Sequence, residues 1–344
     1  MNVDVLVVTA LNLERKAVRA HLDGVQMEAA SGLAADVGTS ASRAGQRFAI
    51  IETGPGNVDA AVMAARAEEA FRPKYIVMMG VAGGVKDVAI GDVVASSKVY
   101  WIEGGKTDAK FKPRPGFAPI SGELLQLARA VAADGTWLAR GKAPAGPWPA
   151  AGRQPRAFVA PIVVGEKVIA DRAADAALLV SESYSDAVAI DMEDFGALRG
   201  GAATERSKVI AVRGVSDLLS AKSSADAGGS QEIAAANAAA FLFDLLDRTP
   251  SIETHAEVGL TGSRSERALS AGRDLYPSGP HQDGLWERAG GDPSRLNYDG
   301  SGASRWWNAI RLIEKGGGGD ITIESLVAQM QLDYPGNATL SRWD

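Results

Sequence analysis

Ala189-Ile190-Asp191-Met192-Glu193 and, further along, Val212-Arg213-Gly214-Val215-Ser216-Asp217 decide the reading of the fold. Each is a short apolar run that stops at an acidic residue, as a buried strand does when its end carries a polar group. In an α/β sheet the strand ends form the ligand crevice. Two carboxylates delivered to one crevice can divide the work, one gripping a substrate and one moving a proton.

Working outward, residues 3–10, 48–53, 75–81, 92–100, 162–169, 187–191 and 209–215 read as further strands, and 13–22, 58–70 and 230–247 as helices. Strands alternating with helices predict an α/β domain over residues 1–247, a mixed central sheet wrapped by helices. Residues 103–154 are rich in Gly, Pro, Lys and Trp and read as an insertion carrying one helix, 123–133. Residues 248–266, polar and containing Pro250 and Gly259, read as a linker. Residues 267–344 carry helical patterns at 268–275, 305–314 and 323–332 with no strand pattern, which predicts a small C-terminal all-α domain.

Composition excludes several classes. The 344 residues carry a net charge of −6, which argues against bulk capture of nucleic acid. With no cysteine there is no disulfide, no thiolate nucleophile and no cysteine-ligated metal. The three histidines, His21, His255 and His281, are scattered, so no metal site is expected, and no cofactor motif is present. Residues 1–8 lack a basic leader and read as a strand, and no segment has the ~18 apolar residues of a membrane span. A cytoplasmic protein with no membrane or nucleic-acid partner is the expectation.

Five short motifs could carry chemistry. Glu14, in Thr9-Ala10-Leu11-Asn12-Leu13-Glu14, sits in the first turn of a helix, where an acid is favoured electrostatically whatever its function. Gly54-Pro55-Gly56-Asn57 joins a strand to a helix and is either a tight turn or a set of backbone N–H groups offered to a ligand. It is neither a dinucleotide fingerprint nor a P-loop. The glycines of Gly80-Val81-Ala82-Gly83-Gly84 let backbone approach a ligand, or serve packing alone. Glu193 and Asp217 follow strands, where acids are also common as turn residues and helix caps. The small, polar stretch 220–229 after Asp217 is a candidate lid.

In this order and spacing the motifs resemble the nucleoside phosphorylase/nucleosidase superfamily, nearest to its methylthioadenosine/S-adenosylhomocysteine nucleosidase type. The resemblance covers nearly all of the first domain. It implies cleavage of the N-glycosidic bond of a purine nucleoside. Carried over by position, Glu193 binds the ribose hydroxyls with Met192 beside the sugar. Asp217, oriented by Ser216, protonates or hydrogen-bonds N7 of the departing purine. Glu14 helps activate the attacking water, and Val168 and Ile169 line the base pocket. Gly83 lets backbone approach the substrate. Val81 stands where many phosphorylases place a hydroxyl residue, which favours water over phosphate as nucleophile. The resemblance further implies a homo-oligomer, often with a neighbouring subunit completing the site.

Two features depart from small metabolic nucleosidases. The insertion places Lys106, Lys110, Lys112 and Arg114 close together beyond Tyr100-Trp101. This is either a solvated basic loop or a phosphate-binding arm, in which Lys106, Lys112 and Arg114 would take a nucleotide's phosphates. Residues 267–344, with Leu285-Trp286-Glu287-Arg288, Trp306-Trp307-Asn308-Ala309-Ile310 and Asp333-Tyr334-Pro335, resemble the death-fold-like effector-associated domains of bacterial conflict systems. That resemblance implies a partner protein bound through 267–344, although the aromatics also suit the core of a small bundle. The expected function is hydrolysis of an adenine nucleoside or nucleotide, ATP among the candidates, by an antiphage effector. Competing readings are a housekeeping nucleosidase, a purine nucleoside phosphorylase and an inactive nucleotide sensor.

Overall fold

The computed structural model describes residues 2–141, 153–169, 171, 173–219, 229–250, 263–299, 302–337 and 340–343. The chain divides into two compact units, Met1–Pro250 and Ser251–Asp344. Most of the candidate lid, 220–228, and most of the expected linker, 251–262, lie outside the described residues.

The first unit is built on strands β1 (Val5–Thr9), β2 (Leu22–Ala30), β3 (Leu33–Ser40), β4 (Arg47–Glu52), β5 (Tyr75–Gly84), β6 (Val93–Trp101), β7 (Gly105–Thr107), β8 (Phe111–Pro113), β9 (Gly116–Phe117), β10 (Ala157–Val164), β11 (Ala189–Asp191) and β12 (Lys208–Leu218). Its helices are α1 (Asn12–Arg19), α2 (Asn57–Phe71), α3 (Gly122–Asp134), α4 (Asp175–Ser183), α5 (Asp194–Gly201) and α6 (Ser230–Asp247). The main sheet runs β11-β10-β6-β12-β5-β1-β4-β3-β2. Its pairs are parallel at β4–β1–β5–β12 and at β6–β10–β11, and antiparallel at β12–β6, β3–β4 and β2–β3. The sheet is mixed, as expected. The central strands are continuous apolar runs because helices cover both faces; β1 is buried throughout, and β5 is buried except at Val81 and Gly83 near its end.

One pairing closes the architecture around the site. β11 also pairs antiparallel with β5, Ala189 opposite Gly84 and Ile190 opposite Gly83. Strands β5, β12, β6, β10 and β11 therefore form a small ring, and the ends of β5, β11 and β12 meet at one rim. Helix α5 is locked to α2 by close backbone approach. A Cβ at Gly196 would overlap the Asn57 carbonyl, and one at Gly200 the Ala61 carbonyl. Gly200→Val is expected to cost about 3 kcal/mol, the upper range for overpacking, and to lower the thermal midpoint. An unchanged midpoint would show that the helices can separate without penalty.

Three boundaries differ from the sequence reading. The expected helix 13–22 ends at Arg19, and Leu22 begins the β2–β3 hairpin. That hairpin gave no apolar signal because β2 lies largely exposed, with Asp23, Gln26 and Glu28 along it. The expected strand 162–169 is shifted: β10 covers Ala157–Val164, and 165–169 is an irregular segment with a bend at 166–167. The insertion carries more than its expected helix, namely the β7–β8 hairpin, β9 and a 3-10 turn at Thr136–Arg140.

In the second unit, α7 (Arg264–Leu275), α8 (Leu285–Arg288), α9 (Gly302–Glu314) and α10 (Ile323–Asp333) surround a core of Trp286, Trp306, Tyr276, Leu326 and Met330. Both buried indoles are satisfied: Trp306 Nε1 donates to Tyr276 O at 2.8 Å and Trp286 Nε1 to Asp292 O at 3.2 Å. Trp307 is instead 46% exposed and stacks under the Arg311 guanidinium. The aromatics thus divide between core and surface. No helix among the described residues is long and apolar enough to cross a membrane.

Candidate active site

A cavity of about 190 Å³ opens at the rim where β5, β11 and β12 end. Nine of the residues singled out in the sequence line it: Glu14, Val81, Gly83, Val168, Ile169, Met192, Glu193, Ser216 and Asp217. They arrive from five separate segments, which is why no single motif was decisive.

Asp217 reaches the cavity through a bulge. β12 pairs Val215 with Ala82 but Asp217 with Gly83, leaving Ser216 as an extra residue. Adjacent residues of a regular strand face opposite ways; the bulge lets Ser216 and Asp217 both line the cavity. Ser216 Oγ donates to Asp217 Oδ1 at 2.9 Å and so fixes the carboxylate.

Glu193 sits in the turn between β11 and α5. Gly56 N donates to its Oε1 at 3.0 Å. The Gly54–Asn57 turn, read as a possible ligand cradle, therefore spends that N–H on positioning Glu193. Asn57 strengthens the joint: its Oδ1 accepts from Gly196 N at 2.8 Å and its Nδ2 donates to Glu166 Oε1 at 3.1 Å.

Glu14 is buried and accepts three backbone N–H groups. Ala10 and Leu11 donate to Oε2 at 2.8 and 2.9 Å, and Val81 donates to Oε1 at 2.9 Å. These bonds and Arg213 favour the charged form, but burial outweighs them and raises its pKa above the ordinary glutamate value. A buried carboxylate of raised proton affinity is suited to act as a base.

Behind these acids lies Arg213, fully buried, whose function the sequence reading did not assign. Its Nε donates to Asp194 Oδ1 at 2.9 Å, its Nη2 stands 3.4 Å from Glu193 Oε2, and its Nη1 donates to Val81 O at 3.2 Å. It also pairs with Asp191 and stands 4.0 Å from Glu14. Asp191 is held well above the usual carboxylate range, chiefly by burial. Gly80 makes room for this arrangement, because a Cβ there would overlap both Arg213 and Glu14. An arginine inside an apolar strand, preceded by a run with three acids, was the available sequence signal for the cluster.

Lys106, Lys112 and Arg114 are not brought to this cavity within the chain. Lys106 and Lys112 face each other in register on the exposed β7–β8 hairpin, with Arg114 just beyond. Lys112 pairs with Asp108 at 2.6 Å. The cation that does border the cavity is Lys167. Lys167 also borders a second cavity of about 410 Å³, between α4 and the hairpin residues Lys110 and Phe111. Among the described residues no cluster of acids and histidines could hold a metal ion.

Residues 4–247 match the profile of the phosphorylase superfamily, and the chain belongs to that superfamily. Residues 258–344 match effector-associated domain 1. No functionally curated protein matches the chain. Among solved structures, the first unit is similar to 5′-methylthioadenosine/S-adenosylhomocysteine nucleosidase from Neisseria meningitidis in complex with methylthio-immucillin-A. The identity is 20% and the TM-score 0.57, over 72% of this chain and 99% of that one. Futalosine hydrolase from Helicobacter pylori is similar at 19% identity and TM-score 0.56, over 72% of this chain and 98% of that one. At such identities the likeness is one of fold.

Proposed function

We propose that the first unit is a nucleosidase that hydrolyses the N-glycosidic bond of an adenine nucleoside or nucleotide, ATP among the substrates, and that it acts as an effector in bacterial defence. The observation that carries the reading is the convergence of Asp217, Glu193 and Glu14 on one cavity from three parts of the chain. A purine anion is a poor leaving group, so Asp217 would deliver a proton or hydrogen bond at N7. The ribosyl cation that develops is stabilised by the carboxylates around it. Glu193 would hold the ribose hydroxyls and Glu14 would take a proton from the attacking water. The two similar structures are of a nucleosidase and a hydrolase, which agrees with this chemistry.

The surroundings of Glu14 support water over phosphate. The N–H groups of Ala10, Leu11 and Val81 form an anion cradle, and Glu14 already fills it. A phosphate would have to displace a buried carboxylate and then meet its charge. Cleavage of adenosine in phosphate buffer is expected to yield free ribose. Ribose 1-phosphate as the product would assign the protein to the phosphorylases.

The 5′ group divides two readings. Lys167 at the rim, and Lys110 in the adjoining cavity, favour an anionic substrate such as ATP. The placement of Lys106, Lys112 and Arg114 away from the chain's own cavity favours an uncharged nucleoside such as methylthioadenosine, unless a second copy brings the hairpin to the site. If a second copy does bring its hairpin to the site, replacing the three together by Ala is expected to lower kcat/KM for ATP about 100-fold and to leave adenosine within about twofold, an effect of charge-assisted phosphate contacts. Equal activity of the variant on both would remove the phosphate arm. The effector role rests on residues 258–344, the match to effector-associated domain 1, which would bind the partner protein that activates the enzyme.

A further inference from the structure

Arg213 faces four carboxylates: Glu14 from α1, Asp191 at the end of β11, and Glu193 and Asp194 at the turn into α5. It shares itself unequally among them. Nη2 makes its shortest contact with Asp191 Oδ2, while Nε lies 2.9 Å and Nη2 2.7 Å from a single oxygen of Asp194, Oδ1, so that Asp194 alone engages both nitrogens. Glu193 receives a longer contact at 3.4 Å, and Glu14 the longest, at 4.0 Å. Three of the four acids line the cavity; Asp194 does not. It is fully buried behind them, and its Oδ2 has no hydrogen-bond partner.

A buried carboxylate with half its lone pairs unsatisfied is costly unless its charge serves a neighbour. Here the neighbour is Arg213, and the effect passes to the two glutamates beyond it. We propose that Asp194 is a positioning residue that grips Arg213 from outside the cavity and limits how much of the guanidinium charge reaches Glu14 and Glu193. The proposal rests on the reading of Glu14 as the base of a hydrolytic site.

With Asp194 in place, Arg213 is largely neutralised on its Nε side. Its pull on Glu14 is therefore weak enough for burial to dominate, and Glu14 keeps a raised proton affinity. Without that charge, Arg213 would attract Glu14 more strongly and make it a weaker base. Glu193 would likewise be drawn toward Arg213 and away from a ribose hydroxyl. A purely structural Asp194 would predict neither effect, only a less stable protein.

Asp194→Asn keeps the shape and removes the charge. In the full-length protein, the acidic limb of the pH–rate profile, set by protonation of Glu14, is expected to move down by about one pH unit. The plateau kcat should fall about tenfold as the base weakens, with a smaller rise in KM from Glu193. A carboxyl NMR titration of glutamate-labelled protein, with Glu14 assigned through Glu14→Gln, follows the same group without turnover. A lowered Glu14 titration in Asp194→Asn, with the wild-type value restored in Asp194→Glu, supports the proposal. An unmoved Glu14 titration overturns it, as does a wild-type Glu14 that titrates at the ordinary glutamate value. If the wild type releases no base, the hydrolytic reading has failed while the titration still decides the role of Asp194. Should the Asn variant not fold, Asp194→Ser is read in the same way.

Discussion

Asp217→Asn is expected to lower base release about 1,000-fold while leaving substrate affinity nearly unchanged, within the range for loss of a positioned general acid. The amide keeps the size of the carboxyl and can still accept the Ser216 hydroxyl hydrogen bond seen at 2.9 Å. It cannot supply a proton to N7 as the glycosidic bond breaks. The loss therefore falls on the transition state rather than on binding, so kcat and kcat/KM should drop together. Steady-state kinetics with adenosine and ATP check this. A variant within about threefold of wild type would remove Asp217 from the proton transfer.

The second large effect is on stability. Arg213→Met is expected to destabilise the first unit by about 3–5 kcal/mol, the range for breaking a buried ion pair from one side. Methionine fills most of the volume, so the deficit arises from charge: Asp191, Asp194, Glu14 and Glu193 lose their common cation. The pH dependence gives a sharper signature. Burial already raises the folded-state pKa of Asp191 and Glu14. For an acid raised in this way the penalty is absent below its unfolded-state pKa, grows as pH rises from there to the folded-state pKa, and is constant above it. The thermal midpoint of the variant should therefore lie nearest to wild type in acid and fall away toward neutral pH. A deficit independent of pH would mean that lost packing, not unpaired charge, is responsible.

Much of this arrangement was legible in the sequence because apolar runs ending in acids are hard to place anywhere but in a buried sheet. Lys208–Leu218 was readable for that reason, and Val5–Thr9, Tyr75–Gly84 and the helix Ser230–Asp247 were readable as continuous apolar runs. The β2–β3 hairpin was not, since a half-exposed edge mixes polar and apolar residues without a clean period. Nor was the β11–β5 bridge that closes the ring, because pairing between distant strands leaves no local trace. The nine cavity-lining residues were found through motif order. Arg213, Asp194 and Asn57 were passed over because their importance lies in what they hold, and a partner more than a hundred residues away, as for Asn57 and Gly196, is invisible in local sequence. The hairpin cations were conspicuous as a charge run, yet sequence cannot say which cavity a hairpin overhangs.

We propose above all that this cavity hydrolyses an adenine glycosidic bond. Its most direct test is chromatographic detection of free adenine after incubation with ATP, AMP, adenosine, methylthioadenosine and NAD, with and without phosphate, beside Asp217→Asn. Hydrolysis at this cavity predicts adenine from ATP at a rate independent of phosphate and abolished in the variant. Adenine released equally by wild type and variant, or only when phosphate is present, would contradict it.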